Sequence, residues 1–192
     1  MGKTLYIIAG CNGAGKTTAS MNILPEILNC REFVNADEIA RGLSLFNPDG
    51  AAIQAGRLML QRIDKLVEGA KSFAIETTLA TRSYKELVIK AQKKGFKVQL
   101  LFFWLPSAEY AIRRVAQRVT EGGHNIPTDI VIRRYYKGLE NLFNIYMPIV
   151  DSWVLIANNT NPPVVIANNI ENKVYIYNEE LYQRMKSYVG RG

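Results

Sequence analysis

The chain has 192 residues, of which 48% are hydrophobic and 21% charged, and a formal net charge of +7. That length suits one domain with a full core, and that composition excludes a disordered or fibrous chain. The positive charge fits a partner rich in phosphate; without a lysine or arginine run of the kind that forms a nucleic-acid arm, small phosphorylated ligands are favoured over nucleic acid. Two cysteines, Cys11 and Cys30, give neither a disulfide framework nor metal-ligand spacing. The N-terminus lacks signal-peptide character, and the longest apolar run, Leu100 to Leu105, is too short to span a bilayer. A cytoplasmic protein with no membrane partner is expected.

The first predicted strand, Leu5 to Ala9, is apolar and leads into Gly10-Cys11-Asn12-Gly13-Ala14-Gly15-Lys16-Thr17-Thr18. This stretch fits G-x-x-x-x-G-K-[ST], the phosphate-binding P-loop. A helix is predicted from Thr18 to Leu28, so the motif has the strand-loop-helix context its chemistry needs. The glycines let backbone N–H groups approach a phosphate, and the helix start adds its positive dipole end. Gly10, Asn12, Gly13, Ala14, Gly15, Lys16, Thr17 and Thr18 are therefore the expected ATP-binding residues. Lys16 reaches the β- and γ-phosphates, and the Thr17 hydroxyl is a ligand for Mg²⁺.

Phe33-Val34 is a short strand that delivers Asn35 and Asp37 to its carboxyl end, where open α/β sheets bind ligands. Asp37 reads in two ways: as the base that takes a proton from an acceptor hydroxyl, or as a helix cap. After a turn at Phe46–Gly50 comes a long amphipathic helix, then the strand Ser72 to Ile75, ending in Glu76-Thr77-Thr78. Glu76 is placed to order Mg²⁺ or to bind substrate hydroxyls, and the threonines to bind substrate or to cap and turn the chain.

A helix over about Ser83 to Lys94 stops at Gly95, and Lys97 to Leu105 is the most apolar strand, expected at the sheet centre. The next helix starts at Pro106-Ser107 and carries Arg114 and Arg118 four apart on one face. Glu121 to Pro127 then leads to a helix bearing Arg133 and Arg134, with Ile132, Tyr135, Leu139, Leu142 and Tyr146 as its buried stripe. Two helices joined by Gly122-Gly123 and edged with arginines read as a lid that closes over triphosphate, with His124 as a lid or hinge residue. A fifth strand, Ser152 to Ala157, precedes an irregular loop, Asn158 to Pro163; Val164–Ile166 and Val174–Tyr177 are expected to pair as a terminal hairpin before a last helix.

Taken together, Ala9 to Thr18, Asn35-Ala36-Asp37, Glu76-Thr77-Thr78-Leu79 and Arg118 to Pro127 resemble the zeta-toxin family of P-loop kinases, particularly its short stand-alone members. Arg133-Arg134-Tyr135 and Asp151-Ser152-Trp153 extend the likeness to about Ala157. The resemblance implies ATP-dependent phosphorylation of a hydroxyl. In well-known members the acceptor is UDP-N-acetylglucosamine, the consequence is poisoning of cell-wall synthesis, and an antitoxin protein holds the toxin off. Carried over by position, Lys16 is the phosphate-binding lysine and Asp37 the general base. Glu76 and Thr78 fall on the substrate side, and Arg118 resembles a lid arginine; Asn35 and Arg114 are further substrate-side candidates and Arg134 a further candidate for the transferring phosphoryl group, with the choice among Arg114, Arg118, Arg133 and Arg134 open. The chain is shorter than the best-known toxins, and its arginine spacing does not map one-to-one onto theirs.

The expected fold is a three-layer α/β/α P-loop NTPase of the nucleoside-kinase kind. It has a mostly parallel five-stranded sheet, a helical lid over about residues 107–134 and a C-terminal hairpin-helix appendage over about residues 162–192, all in one domain. The expected activity is transfer of the ATP γ-phosphate to a small-molecule hydroxyl, with a nucleotide sugar as the acceptor the resemblance implies. Alternatives are a kinase for an antibiotic, sugar or cofactor precursor, and a regulatory ATPase with no acceptor.

Overall fold

The computed structural model describes residues 2–123 and 125–190, so His124, expected in the lid, lies outside the described residues. Strand β1 (Thr4–Gly10) is followed by helix α1 (Lys16–Asn22), β2 (Phe33–Val34), α2 (Ala36–Leu43), α3 (Ala52–Glu68), β3 (Phe73–Thr77), α4 (Tyr84–Lys93) and β4 (Lys97–Trp104). Then come α5 (Ala108–Thr120), α6 (Thr128–Asn141), β5 (Ser152–Ala157), β6 (Val164–Ile170), β7 (Lys173–Ile176) and α7 (Glu179–Ser187). The first helix begins two residues before the predicted Thr18 and relaxes into a π-helical turn over Ile23–Ile27. Pro25 sits inside that turn and has no N–H to give to an α-helical ladder. Among the described residues no helix is long and apolar enough to cross a membrane.

The sheet order is β2-β3-β1-β4-β5-β6-β7, with the first five strands parallel and the last two antiparallel. The run from β1 to β2 moves one way along the sheet and the run from β3 to β4 crosses β1 the other way. Right-handed crossovers then place helices on both faces, and β1 marks the switch point outside whose carboxyl end ligands bind. Being covered on both sides, β1 and β4 are apolar almost throughout, and Leu5, Ile7, Val98 and Leu100 are fully buried.

Two sequence expectations are corrected. The terminal hairpin is not an appendage to a five-stranded sheet; β6 pairs with β5, from Trp153 opposite Asn169 to Ala157 opposite Val164, and makes seven strands among the described residues. The open edge of β5 is a template for pairing, and Ile166 and Ala167 become fully buried by taking it. In α6, Val131 rather than Ile132 faces the core; Ile132 is 38% exposed.

Helix α6 and the π-helical turn that continues it (Leu142–Tyr146) also fix the loop after β3. Gly138 lets the helix backbone approach the Thr78 carbonyl, Asn141 Nδ2 donates to the Leu79 carbonyl (2.7 Å), and Tyr146 OH donates to the Thr81 carbonyl (2.8 Å). Leu79 is held there in the left-handed region at φ 56°. The loop that follows Glu76 and the end of β3 is thus anchored from behind.

Candidate active site

The parallel register brings the site together. Glu76 of β3 lies opposite Ile8 of β1, two residues before the P-loop begins, and Asn35 follows β2 on the far side of β3. At Gly10, φ is +140° and a Cβ would overlap the Phe103 carbonyl oxygen, so only glycine lets the chain leave β1 toward the loop. Lys16 opens α1 and is 7% exposed; its ammonium donates to the Cys11 carbonyl (3.0 Å) and stands 3.7 Å from Glu76 Oε1. Thr17 Oγ1 donates to Glu76 Oε2 (2.8 Å), and Asn35 Nδ2 donates to the same oxygen (3.0 Å).

Asn35 also takes the capping task that the sequence offered to Asp37. Its Oδ1 accepts from the backbone N–H of Asp37 (2.8 Å) and Glu38 (3.4 Å), so Asn35 is the cap of α2. Asp37, relieved of that task, sits in the first turn with its side chain exposed and lines a cleft of about 680 Å³.

The floor of that cleft is the P-loop, from Asn12 to Thr18. One wall carries Asp37, Glu38 and Arg41 of α2 with the turn at Pro48–Asp49; the other carries Tyr110, Arg114, Gln117 and Arg118 of α5. Arg114 leans over the P-loop and donates from Nη1 to the Asn158 carbonyl (3.2 Å). Arg134 does not line the cleft but touches its floor, donating from Nη1 to Asn12 Oδ1 (3.3 Å), while Arg133 points to solvent. Thr78 does not line the cleft either; its peptide faces Gly138 of α6. Ala14 is buried beneath the loop. Tyr110 and Gln117 were not singled out from the sequence, and Asn158 was marked only as the start of the irregular loop after β5. The signal available for Asn158 was its place at the carboxyl end of a parallel strand.

Burial pushes the Glu76 carboxyl above its ordinary value. The Lys16 charge and the Thr17 hydroxyl pull it down, the nearby Asp37 and Glu38 push it up, and burial prevails. An acid raised in the folded state binds more protons folded than unfolded, so its contribution to stability falls as pH rises from 4.5 through the folded value. Glu76→Gln is accordingly expected to flatten this part of the pH dependence. Urea unfolding at pH 4.5 and pH 7.5 would check this, and a variant whose stability changes between the two pH values as much as that of wild type would refute it. Cys11 is also affected by burial, which lifts its thiol to about 11 and keeps it unreactive.

The donor set suits a magnesium-bound triphosphate. Among the described residues no group of three or more His, Cys, Asp or Glu could hold a metal. Mg²⁺ in kinases needs only one or two protein oxygens beside the substrate phosphates, and Thr17 Oγ1 with the Glu76 carboxylate offers them.

A family model described as Zeta toxin matches residues 2–180. The chain belongs to the Zeta toxin family. A curated relative of this Zeta toxin chain is an uncharacterized protein of Haemophilus influenzae, 31% identical over 126 residues, which is 66% of this chain and 88% of that protein. The fold is similar to a chain of the AvrRxo1-ORF1:-ORF2 complex solved with ATP, with a TM-score of 0.80 and 20% identity over 97% of this chain and 64% of that one. It is also similar to a chain of the PezAT chromosomal toxin–antitoxin system of Streptococcus pneumoniae, with a TM-score of 0.63 and 16% identity over 97% of this chain and 86% of that one. This Zeta toxin chain therefore spans less than two thirds of the AvrRxo1-complex chain. At these identities the likeness establishes the fold, a P-loop α/β architecture with a central sheet.

Proposed function

We propose that the protein is an ATP-dependent phosphotransferase that passes the γ-phosphate of ATP to a hydroxyl of a small molecule. The observation that carries this reading is the gathering of Lys16, Thr17 and Glu76 at the head of the P-loop, with Asp37 lining the same cleft. The ATP in the AvrRxo1 complex supports the choice of nucleotide. Mg²⁺ held by Thr17, with Glu76 beside it, would supply charge neutralisation on the phosphates. Lys16 holds the β- and γ-phosphate oxygens. Asp37 accepts the proton of the acceptor hydroxyl as that oxygen bonds to the γ-phosphorus and the bond to the β-phosphate oxygen breaks, releasing ADP. Arg118 and Arg134 serve the transferring group. Arg114, which lines the same cleft beside the P-loop, is proposed to bind substrate there. Helices α5 and α6, across residues 107–134, act as the lid.

The family resemblance makes a UDP-N-acetyl sugar the first acceptor to try, in the cytoplasm where such compounds and ATP occur. The toxin–antitoxin setting of PezAT supports a protein antitoxin as the macromolecular partner. The test is ³¹P NMR of protein, ATP and Mg²⁺ with UDP-N-acetylglucosamine, other nucleotide sugars and unphosphorylated sugars. A new phosphomonoester signal establishes the activity and its acceptor class. Saturable ATP binding with hydrolysis but no product across the panel would favour the regulatory ATPase instead.

A further inference from the structure

Asn158 directly follows β5 at the carboxyl edge of the sheet, and three polar contacts converge on it. Its backbone N–H donates to the Trp104 carbonyl (3.0 Å), and its own carbonyl accepts from Arg114 Nη1 (3.2 Å). Its side-chain Nδ2 donates to the Ala14 carbonyl (2.7 Å), in the middle of the P-loop. Gly15 and Lys16 line the cleft, whereas Asn158 and Ala14 do not.

The Ala14–Gly15 peptide is a planar trans unit, so its C=O and N–H point in opposite directions. With the carbonyl drawn toward Asn158, the Gly15 N–H is turned the other way, and Gly15 itself lines the cleft. Reversing this peptide needs rotation only about ψ of Ala14 and φ of Gly15. Gly15 sits at φ +77° and, lacking a Cβ, tolerates either sign. Local backbone preference therefore does little to keep the amide aimed at a phosphate. The same asparagine explains why Gly15 stays bare: a Cβ there would come within 2.7 Å of Asn158 Nδ2.

We propose that Asn158 is a positioning residue for nucleotide binding: its side chain sets the plane of the Ala14–Gly15 peptide so that the Gly15 amide faces the phosphates, and its carbonyl holds Arg114 beside that loop. The inference rests on the P-loop binding nucleotide phosphate. It gives the irregular loop after β5 a task in phosphate recognition that no P-loop motif includes.

The experiment is calorimetric titration of ADP into wild type, Asn158→Ala and Asn158→Leu, with thermal melting of each free protein. Asn158→Ala should weaken ADP binding about 10- to 100-fold, the range expected for losing a hydrogen bond to a charged group. Asn158→Leu, close to asparagine in size but without a donor, should bind ADP as weakly. A role confined to tying β5 to the loop would lower the melting temperature and leave ADP affinity at the wild-type level. ADP affinity within threefold of wild type in either folded variant would overturn the inference. If Asn158→Ala fails to fold, Asn158→Leu decides. ADP failing to bind wild type overturns the phosphate-loop reading itself, and the inference with it.

Discussion

Lys16→Met is expected to lower phosphoryl transfer from ATP by about 10³-fold or more, the loss typical when a preorganised cation is taken from a transferring phosphoryl group. Lys16 suits that role because its charge is already desolvated: the side chain is 7% exposed and close to both the Cys11 carbonyl and Glu76. A charge held in such a place acts through a low local dielectric and needs no reorganisation when the γ-phosphate moves. The substitution has a second consequence. Lys16 is the strongest influence pulling the Glu76 carboxyl down, so removing it leaves burial less opposed and raises that carboxyl further. Methionine keeps the length and apolar stem of lysine, and circular dichroism would confirm that the fold survives. ADP release measured with saturating acceptor is the readout. Turnover within a few-fold of wild type would refute the assignment of Lys16 to the phosphates.

The parts of this site that could be read from the sequence are those in which chemistry and chain neighbourhood coincide. The P-loop announces its own strand, turn and helix within about a dozen residues, and Asn35-Ala36-Asp37 and Glu76 each end a short apolar strand. Parallel strands share one carboxyl edge, so recognising the strands was enough to bring these residues together. What stayed hidden depends on contacts between distant segments. Asn35 rather than Asp37 caps α2, which depends on which side chain turns toward the backbone. Arg134 meets Asn12 across 122 residues and Asn158 meets Ala14 across 144, and no local pattern encodes either pair. Thr78 shares its motif with Glu76, yet the approach of α6 at Gly138 leaves it outside the cleft lining. The hairpin β6–β7 was recognisable as a hairpin. Its attachment to β5 was not, because an open sheet edge is a property of the assembled sheet.

Asp37→Asn separates the proposed tasks of Asp37 and Glu76, two carboxylates of the cleft that stand in different surroundings. Glu76 is buried and already engaged with Thr17, Asn35 and Lys16, a set that holds it at the phosphate end. Asp37 is exposed to the cleft on the α2 wall, and its carboxylate makes no hydrogen bond or ion pair among the described residues. A base must be able to approach an incoming hydroxyl, and of these two Asp37 is the exposed one. Asparagine preserves its size, and the cap of α2 is unaffected because Asn35 supplies it. The expected result is a fall in kcat of about 10²- to 10⁴-fold, the usual share of general base catalysis, with the KM for ATP unchanged. Glu76→Gln, by contrast, should raise the KM for magnesium-ATP, because it alters the group beside Thr17. Steady-state kinetics of the two variants against the same acceptor distinguish the roles. If Asp37→Asn retained wild-type kcat while Glu76→Gln lost it, the base would be Glu76, and Asp37 would serve only to orient the acceptor.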